Sequence, residues 1–424
     1  MMRESSPSGA LAVTALGVVS PLGWDAASSC AAARAGLLRI SPLEDSIGRN
    51  PDTGDAESIL GHTVVGCTEG FTGPGRLIRL GVAALSDLRR SCTMDDWRQT
   101  GLVINLSSSL PLLAAAAARG LTSDIDSKDE EEFLAATLEA LRQQQEQHML
   151  TRLTRLAELP VPTGHWKVTR GDQAGFLHAL AAAARLLEQR AVSNCIVGGI
   201  DSYVDLPVVE ALDALRLLKT PSRPHGILPG ECAAFLRVEL LETARRRGAP
   251  IHCVLGARAL HREPHDRFAG RHWQGAALAT AFSQVWQTLP AAQQPGRLIG
   301  NLNGDERRVY DWGCALTRLQ GQGLPSDLPA WHTGMSFGEI GAATAPMAIS
   351  MAAHAFARGH ADTRSMVVWL SSDGGERSAL QVLERRSGFR PRKVEYLRER
   401  STRVVAACIG RHLTEVARGA LEAG

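Results

Sequence analysis

The residues of this 424-residue chain that could carry chemistry are scattered, not paired. Its eight cysteines, at positions 30, 67, 92, 195, 232, 253, 314 and 408, contain no Cys-x-x-Cys pair. That spacing argues against a zinc site or a dithiol redox motif, and the thiols read as reduced. Cys195 and Cys232 lie in apolar, strand-like runs, where a thiol behaves as a small inert hydrophobe. Ser107 to Ser109 could offer a nucleophile, but serines placed before an Ala-rich run are what a helix N-cap requires. His332 and His178 could each act as a base; a satisfied core or surface histidine explains either as well. Asp305 and Glu306 with Asp311 offer oxygen ligands for a cation, yet their spacing fixes no geometry, so a solvated loop is expected. Gly226 and Gly230 lack the Lys-Ser/Thr of a phosphate loop and read as turn glycines.

Composition narrows the classes further. The 46 Lys and Arg against 44 Asp and Glu leave a formal charge of +2, with no basic excess that would favour nucleic acid. Hydrophobic residues make up 44 %, enough for a large core without disulfides or metals. No run of 18 apolar residues is present, and Met1 to Leu11 is polar without a secretion pattern. A soluble, cytoplasmic, globular protein is expected, with no metal and no cofactor.

Any active group must be positioned by the elements around it. Strand-like runs at Leu11–Val19, Leu102–Leu106, Cys195–Gly199 and Met366–Leu370 alternate with helical segments, the pattern of an α/β protein. One unit occurs twice. An Ala/Leu-rich helix at Gly175–Gln189 leads into Cys195–Asp201, and an Ala-rich helix at Ile340–Arg358 leads into Met366–Gly375. The starting strands Leu11–Val19 and Ile251–Ala259 correspond as well, which points to duplicated halves. Two regions fall outside that plan. Ser123–Leu156 is charged and Gln/Glu-rich, as expected for a surface helical insertion. The tail from Ser387 has eight Arg or Lys against four Glu, and Val404, Val405, Cys408, Ile409, Leu413 and Val416 recur at helical spacing. The expected domains are a first half at 10–245 with its insertion at about 123–156, a second half at 250–385, and a helical extension at 387–424.

Several segments, in order, resemble the β-ketoacyl-acyl carrier protein synthase family. Val13 to Gly23 resembles its opening strand and turn, and His225 to Glu239 its Gly-Phe-x-x-Gly-Glu-Gly-Ala segment, with Gly226, Gly230, Glu231 and Glu239 in register. Gly198-Gly199 matches a strand-ending glycine pair, Ser336 to Gly341 (with Gly338) a late glycine loop, and Gly374-Gly375 the final pair. The resemblance implies the thiolase-like fold: duplicated βαβαβαββ halves in a five-layer α-β-α-β-α sandwich.

The family's reaction uses a cysteine that takes the acyl chain as a thioester and two histidines that stabilise the enolate and oxyanion. On this sequence the cysteine position falls at Gln173, within Gly171 to Gly175. The first histidine falls at Asn303, within Asn301 to Asp305, and the second at Met335, within Gly334 to Gly338. The family's lysine falls at Ala330, and its gating phenylalanine at Ser371 or Asp373. A Gln amide is no nucleophile, and a Met offers no N–H. A pseudo-ketosynthase without the Cys-His-His triad is therefore expected, the scaffold glycines outlasting the chemistry.

Asn301 to Gly313 and Phe337 to Ala343 are similar to segments of degenerate thiolase-like proteins associated with bacterial type VI secretion. That resemblance implies an adaptor or chaperone that loads a secretion effector. A second reading is a chain-length-factor-like subunit paired with an active ketosynthase and acyl carrier protein; a third is an acyltransferase with relocated residues. The family resemblance also implies a homodimer, or a heterodimer in the second reading, paired through the strand at Cys195–Gly199. Partner contacts are expected on the insertion and the tail.

Overall fold

The computed structural model describes residues 9–50, 53–92, 97–108 and 146–385. The first half runs β1 (Leu11–Val19), α1 (Ala26–Arg34), β2 (Ser41–Arg49), β3 (Ala56–Gly61), α2 (Gly73–Ser91), β4 (Thr100–Leu106), β5 (Trp166–Arg170), α3 (Phe176–Glu188), β6 (Asn194–Ser202), α4 (Leu206–Ala214), β7 (Glu231–Leu240) and α5 (Leu241–Arg246). The second runs β8 (Cys253–Arg262), α6 (Ala276–Trp286), β9 (Arg297–Gly300), α7 (Glu306–Gly321), β10 (Ala330–His332), α8 (Gly334–Phe337), α9 (Thr344–Ala357), β11 (Ser365–Ser371) and β12 (Glu376–Glu384). β1 is buried along its whole length, which is why its sequence is a nearly unbroken apolar run with no alternation. The turn after it ends at Asp25, whose carboxylate accepts the Ser28 backbone N–H at 2.7 Å and caps α1.

Ten strands form one mixed sheet in the order β10-β9-β11-β12-β8-β1-β7-β6-β4-β5, and β2 and β3 form a separate hairpin. Outward from its centre the sheet reads β1-β7-β6-β4-β5 on one side and β8-β12-β11-β9-β10 on the other. In both directions the four pairings are antiparallel, antiparallel, parallel, parallel. The repeat seen in the sequence is thus a repeat of topology. The two sets meet where β1 and β8 pair antiparallel, Leu11 opposite Leu255 and Val13 opposite Cys253.

The layers follow from which helices and strands share a core. α3 and α9 lie in the middle and share one core with Val103 and Val197 of the first strand set and Met366 and Val368 of the second. A helix with sheets on both sides has no polar face to offer, and α9 is buried at almost every position. α2 covers the outer face of the first set with Leu102, Ile104 and Ile196, and α6 and α7 cover the second with Leu298, Val367 and Trp369. The result is the five-layer thiolase-like sandwich.

One expectation needs adjustment. β6, which contains Cys195–Gly199, is an interior strand with β4 on one side and β7 on the other. Its backbone groups are spent within the sheet, so it cannot pair with a second copy. Of the expected insertion, residues 146–156 are helical and packed on the body through Met149, Leu150 and Leu153, while 109–145 lie outside the described residues. The tail at 387–424 and the helix that Ser107 to Ser109 were expected to cap also lie outside them. Among the described residues no helix is long and apolar enough to cross a membrane.

Candidate functional site

Three loops converge at the carboxyl ends of the parallel strands. The turn after β5 folds back tightly: a Cβ on Gly171 would come within 2.6 Å of Gly175 Cα. That closeness delivers Gln173 inward, where it is 1 % exposed. The loop after β9 brings Asn301 and Asn303. The segment between α8 and α9 brings Glu339, between Gly338 and Gly341, whose φ values of 71° and 45° favour glycine.

These side chains meet on one carboxylate. Gln173 Nε2 donates to Glu339 Oε1 at 2.8 Å, and the Gly341 N–H donates to the same oxygen at 2.9 Å. Asn303 Nδ2 and Arg308 Nη1 donate to Glu339 Oε2 at 2.5 and 2.7 Å. Glu339 and Arg308 are 3 % and 1 % exposed, so this is a fully desolvated ion pair. The charges continue outward: Arg308 Nη2 approaches Asp373 at 3.4 Å, Arg267 binds Asp373 at 2.8 Å, and Arg267 also binds Asp305 at 3.0 Å. Burial pushes the Asp373 carboxyl up, but Arg267 and Arg308 outweigh it and hold it below its ordinary value.

Gln173 and Asn303 are therefore together, as the sequence implied, and Met335 is not with them. It lies on α8 with its side chain in solvent, 70 % exposed, because the one-turn helix Gly334–Phe337 buries Phe337 instead. The third group at the meeting point is Glu339. The likeness noted over Phe337 to Ala343 already contained it. His62 was not singled out in the sequence; its ring lies against Gly338, where a Cβ would come within 2.9 Å of it. Burial lowers the His62 pKa to about 4, so this imidazole is neutral.

The segment Asn301 to Gly313 is a framework in which most polar residues have one visible job. Asn301 bonds both the carbonyl and the N–H of Ser371, at 2.9 and 3.0 Å. Asp305 takes Arg267, Arg308 takes Glu339, and Asp311 takes Arg377 at 2.7 Å in a pair with no solvent exposure. Trp312 stacks on Trp369 with centroids 4.0 Å apart. Asp305 and Asp311 are thus neutralised by arginines and are not solvated loop residues, and Glu306 opens α7.

The remaining candidates resolve similarly. Gly230 is required because a Cβ would meet Phe337 O at 2.1 Å, and Gly226, at φ 147°, donates its N–H to Gly304 O at 3.0 Å. Glu231 is a buried acceptor for Val64 N–H, Thr68, Ser202 and, at 2.7 Å, Arg76. Gly375 has φ 95°, whereas a Cβ on Gly374 would meet nothing within 4 Å. Ala330 starts the edge strand β10. His332 sits edge-on to Trp369, and His178 lies 3.0 Å from Glu376. Burial raises the thiols of Cys195 and Cys232 well above their ordinary values, as expected of inert core cysteines.

Beside the network, burial pushes the carboxyls of Asp172 and Asp201 up to about 7. Ser107 Oγ and the Ser108 N–H both donate to Asp172 Oδ1, at 2.8 and 3.0 Å, so these serines support a buried acid. The folded chain holds such a proton to higher pH than the unfolded chain, so stability falls as pH rises from about 4 to about 7, by up to about 1.4 kcal/mol per pH unit and carboxyl. Asp172→Asn keeps an oxygen for both serine donors and cannot ionise. Calorimetric melts between pH 5 and 7.5 are expected to show a flatter decline for this variant than for the unchanged chain.

Comparison with known proteins agrees with this geometry. Residues 259–380 match the family described as type VI lipase adapter protein Tla3, C-terminal. A 115-residue stretch is 33 % identical to a polyketide beta-ketoacyl synthase 1 of Streptomyces cyaneus, and covers 24 % of this chain and 26 % of that protein. The match thus spans about a quarter of that relative's length. Among solved structures, a type II polyketide ketosynthase, in complex with its acyl-carrier protein and bound to a hexaketide, superposes with a TM-score of 0.65 at 15 % identity, over 88 % of this chain and 99 % of that one. The ishigamide ketosynthase/chain length factor gives 0.61 at 17 % identity over 89 % and 99 %, and a beta-ketoacyl synthase from Burkholderia phymatum 0.60 at 16 % over the same shares. These structural likenesses carry the fold. The chain has the fold of the β-ketoacyl synthases, and its residues 259–380 match the C-terminal region of the type VI lipase adapters.

Proposed function

We propose that this chain is a catalytically inactive ketosynthase-like adaptor that holds a type VI secretion effector, of the lipase kind, for loading in the cytoplasm. The observation that carries the reading is the carboxylate of Glu339, which gathers Gln173, Asn303 and Arg308 where the family's reaction needs a thiolate and two imidazoles. A Gln amide supplies no thiolate there, and a carboxylate supplies no N–H for an enolate. The match of residues 259–380 to the lipase adapters supplies the direction. The chain-length-factor reading is favoured by Gln173 and by the fold shared with the ishigamide complex, but not by the adapter match. Incubation with acyl-CoA followed by intact-mass measurement tests the inactive part: an unchanged mass is expected, and a covalent acyl adduct would overturn it.

The homodimer belongs to the same proposal, with its pairing moved to β5. Among the described residues β5 pairs with β4 on one side and has no strand on the other. A strand at the edge of the sheet, as β5 is among the described residues, is a template for antiparallel pairing with a second copy. Sedimentation at micromolar concentration is expected to give a dimer; a monomer throughout would remove this part. The insertion and the tail remain the proposed partner contacts.

A further inference from the structure

The far end of α9 carries a second cluster of ionisable groups. Glu339 precedes this helix, and its last turn lies about 20 Å away along the axis. There α9 and α1 bound a cavity of about 440 Å³ lined by Ala27, Ala31, Arg34, Ala35, His354 and Arg358. Ala27, Ala31 and Ala35 recur at helical spacing and form an apolar wall. No carboxylate lines the cavity, and neither Arg34 nor Arg358 makes a side-chain ion pair among the described residues. His354 and His360 meet edge to face at 5.6 Å, and the Nδ1 atom of each is buried without a partner. Arg297 is already engaged, 4.4 Å over Trp331 and 3.7 Å from Asp362.

Helix dipoles account for one cation at each helix end, hence for Arg34 and Arg358 singly. They leave the cavity and the unpartnered Nδ1 of His354 on its lining unexplained. Two guanidinium forks converging on a space without an acid suit an anion with three or more oxygens better than a carboxylate, which one fork satisfies. We infer that this cavity binds a phosphate-type anion carried on a small apolar body, the oxygens taken by Arg34 and Arg358 and the body lying along the alanine wall.

Titration calorimetry of the full chain with phenyl phosphate tests this. Saturable binding that weakens as salt is added is expected, and the double variant Arg34→Gln, Arg358→Gln should bind at least about tenfold more weakly. Both arginines are exposed, so thermal melts should show the variant as stable as the parent. Binding should also raise the pH at which the His354 resonances titrate, because an added anion favours the charged imidazole. No saturation up to about 10 mM ligand, or equal binding by the double variant, would overturn the site. Phenol binding as tightly as phenyl phosphate would overturn the anion; inorganic phosphate binding as tightly would overturn the apolar wall.

Discussion

Glu339→Ala is expected to lower the free energy of unfolding by about 3–5 kcal/mol, the usual cost of removing one partner from a buried ion pair. The loss has three sources. Arg308 keeps its charge in a site with 1 % exposure and retains the Asn301 carbonyl and the more distant Asp373. Gln173 Nε2 and Asn303 Nδ2 lose the acceptor they share, and each buried donor so orphaned costs about 1–3 kcal/mol, overlapping with the ion-pair loss. Urea unfolding measures the change. The paired variant Glu339→Met, Arg308→Met should recover a large part of it, since replacing both charges by apolar groups leaves no unpaired ion. Met335→Ala is the control: the side chain is in solvent, so a change within about 0.5 kcal/mol is expected. If Glu339→Ala proved as mild as Met335→Ala, the carboxylate would not be the hub described above.

Asp311→Ala is expected to cost a similar amount, about 3–5 kcal/mol, by the same mechanism at a second place. Asp311 accepts from Arg377 Nε at 2.7 Å, Ser371 Oγ at 3.2 Å and the Gly275 N–H at 3.0 Å. Burial lowers the Arg377 pKa and Asp311 works against that, while Trp273 lies 4.1 Å beneath the guanidinium. Without Asp311 the guanidinium stays charged and has only the ring and main-chain carbonyls to face. Asp311→Asn can still accept from Gly275 or Ser371 and should lose less. Chemical unfolding of the two variants side by side separates the ion pair from the hydrogen bonds.

The fold was largely legible because its signals are local. Buried strands such as Leu11–Val19 and buried helices such as Thr344–Ala357 are apolar nearly throughout, and the glycines at 199 and 230 mark places where a Cβ would strike backbone oxygen at 2.0 and 2.1 Å. The site was legible only where a motif aligned without slippage. Gln173 and Asn303 follow from their strands and arrive together. Met335 did not: the one-turn helix Gly334–Phe337 buries Phe337 and leaves it in solvent, while Glu339 lies in the likeness over Phe337 to Ala343. The ion pairs Arg308–Glu339 and Arg377–Asp311 join residues 31 and 66 positions apart, and nothing in composition pairs them in advance. The interior position of the strand at Cys195–Gly199 was illegible for a related reason: an apolar, proline-free strand can be interior or edge, and only the pairing order decides.

The central claim is that a ketosynthase-type fold has exchanged its chemistry for protein binding. The most direct test is to purify the tagged full-length chain from its own cells, identify what comes with it, and read the chain's intact mass from the same eluate. Recovery of a type VI effector or spike component with an unmodified chain is the predicted result. Recovery of an acyl carrier protein with an active ketosynthase, or a chain heavier by an acyl group, would contradict it.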